Sequence, residues 1–169
     1  LDRTKEDNVI LRKEVTTLRA QLNDRDWTNN RKSDVNEKCL FIGDSTIRSI
    51  DSEKLKDTIV KSIPGGKIEN VKEQMMKREK SYNHVVLHVG TNNLAVNDDV
   101  NVDIPELILE YKVLLDEVKK VSSQITVSGI VPRIDKDISD KRGQLNAASA
   151  VLCNERNIKF VDHDVSFTL

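Results

Sequence analysis

The residues most able to do chemistry are Gly43-Asp44-Ser45, which follow the apolar run Cys39-Leu40-Phe41-Ile42. A strand that stops at glycine and gives way to a helix-compatible stretch puts a hydroxyl in a tight turn near a helix N-terminus. Free backbone N–H groups and the helix dipole favour developing negative charge there. A nucleophilic serine needs that setting, although the same turn also serves as a plain N-cap. Two further segments suit the same chemistry. Pro64-Gly65-Gly66 offers backbone N–H groups that can approach a ligand closely, and Gly90-Thr91-Asn92-Asn93 offers the Asn92 carboxamide as a neutral donor. Fixed donors of this kind stabilise an oxyanion without reorganising. Each segment has an ordinary reading too, as a turn or a strand-ending Asx turn.

The elements that must position these groups are legible from Lys38 onward. Short β-branched runs at 38–42, 58–63, 84–90, 124–131 and 158–162 alternate with helical patterns at 45–56, 68–81, 104–122 and 140–156. The clearest helix is 104–122, where Ile104, Leu107, Ile108, Tyr111, Leu114, Leu115 and Val118 share one stripe and Pro105 suits the first turn. Continuous apolar strands separated by helices imply a parallel sheet, and right-handed crossovers make it a doubly wound three-layer sandwich. In such sheets ligands bind beyond the carboxyl ends of the strands, where all three candidate segments fall.

These blocks resemble the SGNH (GDSL-like) hydrolases. The resemblance covers residues 38–169 and rests chiefly on Leu40-Phe41-Ile42-Gly43-Asp44-Ser45 and Val86-Leu87-His88-Val89-Gly90-Thr91-Asn92-Asn93-Leu94. It implies an α/β, flavodoxin-like, five-stranded sheet in the order 2-1-3-4-5 and a serine esterase acting on acetyl or lipid esters. It also implies Ser45 as nucleophile and an oxyanion hole from the N–H groups of Ser45 and Gly65 with the Asn92 side chain. Asn93 stands where the family usually has Asp, a change that leaves Asn92 in place.

The family's base and its orienting acid come from an Asp-x-x-His block, a spacing this chain lacks. Its histidines are His84, His88 and His163. His84 opens the third strand away from the site, and His88 reads as a satisfied core or face histidine. His163, flanked by Asp162 and Asp164, is at the correct edge, and His163 with Asp162 is the candidate base and acid pair. Three strand steps, however, place the fifth strand roughly 14 Å from the first, so only a loop folding back brings His163 to Ser45. The chain stops eight residues after Val161. A segment beyond Leu169 is therefore expected to carry both the Asp–His pair and a helix covering the sheet.

Residues 1–27 have a narrow heptad seam: Leu1, Asn8, Val15 and Leu22 at one position, Thr4, Leu11 and Leu18 at the other. Asp7 would face Arg12 of a partner, and Glu14 would face Arg19. The pattern reads as a parallel homodimeric coiled coil, with a single helix packed on its own domain as the alternative. Residues 28–37 have no apolar period and read as a linker. A coiled coil followed by such a domain resembles the first-open-reading-frame proteins of LINE-type retrotransposons, as do Val127–Arg133 and the stretch from Leu145-Asn146 through Cys153 to Phe160-Val161-Asp162-His163. That likeness implies a ribonucleoprotein setting.

Composition limits the partners. The chain has 169 residues, 27 basic and 28 acidic, so it carries no global attraction for nucleic acid or anionic membrane. With no basic surplus and few aromatics, RNA is expected to be held only indirectly, through regions outside this chain. Lys72, Lys77, Arg78 and Lys80 form the densest basic cluster, a solvated helix face or a contact for anionic lipid headgroups. No metal or cofactor is called for: Cys39 and Cys153 lack ligand spacing and read as buried free thiols in a reducing, cytoplasmic setting. The rival function is a non-catalytic SGNH-like module that binds lipid or a partner.

Overall fold

The computed structural model describes residues 35–95, 102–133, 135 and 137–164. The expected coiled coil and the linker up to residue 34 lie outside these. Five parallel strands form one sheet: β1 (Val35–Gly43), β2 (Thr58–Ser62), β3 (Ser81–His88), β4 (Gln124–Ser128) and β5 (Lys159–Val161). Their order is β2-β1-β3-β4-β5, as expected. The helices are α1 (Ile68–Met76), α2 (Thr91–Leu94), α3 (Ile104–Lys119) and α4 (Ser139–Glu155).

β1 begins at Val35, inside the expected linker. Its polar Asn36-Glu37-Lys38 interrupts the apolar run, but a strand is defined by backbone pairing and tolerates such a start. The segment 68–81 divides: α1 stops at Met76, and β3 starts at Ser81. The largest correction concerns 45–56, which is no α-helix but two 3-10 turns, Ser45–Ser49 and Ser52–Lys54. The cause is local. Asp44 accepts the Thr46 N–H at 2.9 Å, and Asp51 accepts the Glu53 N–H at 3.1 Å, so a second capping residue restarts the chain within one turn. Only Ile47 of these turns is buried.

The two faces of the sheet differ. On one, Leu40, Ile42, Val85, Leu87 and Val127 are sealed, and the right-handed β2–α1–β3, β3–α3–β4 and β4–α4–β5 crossovers put the three long helices over them. The α3 stripe supplies Leu107, Tyr111, Leu114, Leu115 and Val118 to this core. Asp103 caps α3 by accepting the Glu106 N–H at 3.0 Å, with Pro105 in its first turn. On the other face Phe41, Val60, Val86 and Val161 are only half-buried. Of the expected third layer, the described residues supply only the two 3-10 turns.

Candidate active site

The turns after β1, β2 and β3 are tied together at the carboxyl edge of neighbouring strands. Gly43 is obligatory in that arrangement: a Cβ there would lie 2.1 Å from the His88 carbonyl oxygen. The close approach lets the Asp44 N–H donate to that carbonyl at 3.1 Å. On the other side, the Ile63 N–H donates to the Gly43 carbonyl at 2.8 Å, and the Ser62 hydroxyl donates to the Asp44 carbonyl at 3.0 Å. The Asp44 side chain is fully buried and caps the 3-10 turn, and Ser45, the next residue, is exposed. No hydrogen bond among the described residues engages the Ser45 hydroxyl or its N–H.

Gly65 sits at the third position of a turn closed by the Gly66 N–H to the Ile63 carbonyl at 2.9 Å. Its φ of +64° and Pro64 before it give the type II pattern, which demands glycine for backbone reasons alone, since a Cβ would meet nothing within 4 Å. No described hydrogen bond uses its N–H. Asn92 lies in α2 and donates through Nδ2 to the Gly66 carbonyl at 3.0 Å. A carboxamide nitrogen has two hydrogens, so one remains to donate. Asn93 accepts the Ile68 N–H at 3.1 Å through Oδ1 and so caps α1 from another turn. The turn after β4 is fixed in the same manner: buried Asn146 accepts the Ile130 N–H at 2.8 Å and donates to its carbonyl at 3.0 Å.

Two of the three histidines meet through one hydroxyl. His88 is 3% exposed; its Nδ1 lies 3.0 Å from Ser128 Oγ, and that oxygen lies 2.8 Å from His163 Nε2. His88 is therefore satisfied on one nitrogen only. Its Nε2 has no partner among the described residues, nor does Asp44 Oδ2. Burial pulls the His88 pKa down, Asp44 works the other way, and His163 adds to the lowering. His163 is thus held to β4, two places from β1 and roughly 10 Å from it. The Asp162 carboxylate accepts the Asp164 N–H at 2.9 Å. The described contacts bring Ser45, Gly65 and Asn92 onto one linked edge and leave His163 and Asp162 apart from it. His84 sits within β3, with Nε2 2.9 Å from Thr126 Oγ1.

Ser128 carried no sequence signal of a role at the site. Its role comes from register, since β3 and β4 pair so that Leu87 lies opposite Val127. Cys39 and Cys153 are free; burial pushes the Cys153 thiol up to about 11 and raises Cys39, so both stay protonated near neutrality. Among the described residues no cluster of His, Cys, Asp or Glu could hold a metal, and no helix is long and apolar enough to cross a membrane.

No family model matches the sequence, and no curated protein does. Solved structures do. A protein described as a candidate acylhydrolase from Bacteroides fragilis is 18% identical with a TM-score of 0.65, over 83% of this chain and 76% of that one. A GDSL-like lipase from Bacteroides thetaiotaomicron is 19% identical with a TM-score of 0.62, over 76% and 69%. An acetylxylan esterase from Geobacillus stearothermophilus is 19% identical with a TM-score of 0.60, over 82% and 83%. The class is thereby defined at the level of fold: an α/β flavodoxin-like sheet of the kind found in GDSL-type hydrolases.

Proposed function

We propose that the domain is a serine esterase. The observation that carries this reading is the linked edge, whose turns carry exposed Ser45, the left-handed Gly65 and the Asn92 carboxamide with a donor to spare. Ser45 Oγ would attack an ester carbonyl as a base takes its proton. The N–H groups of Ser45 and Gly65 and the Asn92 amide would hold the oxyanion. Collapse returns the proton to the departing alcohol, and water then releases the acyl group and restores the serine. Acetyl and lipid acyl esters are the proposed substrates, on the strength of what the fold's neighbours are described as hydrolysing.

The test is hydrolysis of short p-nitrophenyl esters. Ser45→Ala should abolish it while the circular dichroism spectrum is retained, and a mutant as fast as the parent rejects the assignment. Asn92→Ala should reduce turnover roughly 100-fold or more.

A second reading has its own support. His163 is engaged with Ser128 and His88, and no described contact brings a histidine to the Ser45 hydroxyl. On that ground the domain would be a non-catalytic module that binds anionic lipid or a protein partner. Vesicle binding by a chain without esterase activity would select it. In either case the proposed setting is a cytoplasmic retrotransposon ribonucleoprotein. Residues 1–27 would pair the chains in parallel, and RNA would be held by regions outside this chain. Sedimentation with and without residues 1–27 tests the pairing, and a monomer in both cases rejects it.

A further inference from the structure

At the β2 side of the sheet, beneath the end of α1, four cationic side chains surround a cavity of about 350 Å³. Lys61 comes from β2, Gln74 from α1, and Lys77, Arg78, Lys80 and Tyr82 from the segment that leads into and begins β3. Glu79 is the one acid on the wall. Two braces hold two of these charges, Lys61 and Arg78, in place. Lys61 Nζ donates to Gln74 Oε1 at 2.6 Å. Arg78 lies over the Tyr82 ring, 5.5 Å from its centroid, and donates to the Tyr82 hydroxyl.

A helix C-terminus attracts cations, which accounts for Lys77 and Arg78 beside the last turn of α1. It does not account for Lys61, which belongs to a strand and is drawn toward them. Burial and the neighbouring charges of Arg78 and Lys77 lower the Lys61 pKa. Among the described residues no ion pair joins Lys61 or Arg78 to an acid. Four cations gathered around one acid leave a surplus of positive charge that an anion would stabilise.

We propose that this cavity binds a phosphate-type oxyanion, either free phosphate or a phosphomonoester. The Arg78 guanidinium supplies a planar fork, Lys61 a point charge, and the Gln74 amide nitrogen a neutral donor left over once its oxygen is used. The site is independent of Ser45, and the Ser45→Ala chain binds the anion as the parent does.

The experiment titrates inorganic phosphate into the full chain at low ionic strength, followed by amide shifts and calorimetry. Saturable shifts centred on Lys61, Gln74 and residues 77–82 are expected, as is competition by added salt. The double variant Lys61→Met, Arg78→Gln should bind at least about tenfold more weakly, the loss expected for a single charge-assisted contact. Lys77→Ala leaves both braces intact and should weaken binding while preserving the fold. Lys54→Ala, a lysine elsewhere on the surface, should have no effect. Glycerol 3-phosphate compared with vesicles of phosphatidic acid separates a soluble ester from a lipid headgroup as the source. Shifts that never saturate, shifts equalled by chloride at the same ionic strength, or affinity unchanged in Lys77→Ala and in the folded double variant overturn the proposal.

Discussion

His88 shares one hydroxyl with His163, and this couples the two rings. Ser128 Oγ has a single proton, so it can donate to His88 Nδ1 or to His163 Nε2 but not to both. At least one of the two rings must therefore present an N–H to that oxygen. Because burial lowers the His88 pKa in the fold, the unfolded chain binds more protons in acid. Stability should be flat above the unfolded value near about pH 6.5 and fall as pH drops below it, until the folded pKa is reached. A urea midpoint followed against pH should show this acid limb. His88→Gln should flatten it but not remove it, since the His84 pKa is lowered by burial as well. Ser128→Ala leaves His88 Nδ1 buried without its partner and should lower stability by about 1–3 kcal/mol. Gly43→Ala should be harsher, about 3 kcal/mol, because the new methyl meets backbone rather than a movable side chain.

At the level of elements, caps decide more than hydrophobic pattern. Asn93 closes the first turn of α1 from the far side of a strand crossover, so Asn93→Ala should cost about 1 kcal/mol in thermal or urea unfolding. Asn93→Asp should keep the cap. Helix α3 was legible because seven stripe residues agree with a first-turn Pro, and the Asp103 cap found in the structure reinforces them. The stretch 45–56 misled because its apolar residues allow a helix, whereas Asp51 offers a competing cap that pattern alone does not weigh. Ser45, Gly65 and Asn92 were legible as edge residues because each ends a readable strand or follows a glycine turn. The His88–Ser128–His163 chain was not, since its members are separated by 40 and 35 residues and meet only through strand register.

Over the whole molecule the two faces of the sheet should respond differently to truncation. Leu114 is sealed on the inner face of α3, so Leu114→Ala should cost about 2–5 kcal/mol. Phe41 is half-buried on the opposite face, and Phe41→Ala should cost distinctly less by the same urea measurement. Equal losses would mean that the second face is as well covered as the first. The cross-tied turns carry a consequence for motion. Asp44, Ile63 and Asn92 each donate a bond into a neighbouring turn, so none of the three can open without breaking bonds that hold another. The backbone amide protons of Asp44 and Ile63 should exchange with solvent at a common rate. On the esterase proposal, a visiting ester would meet a receptacle already assembled, and recognition would resemble a key entering a finished lock.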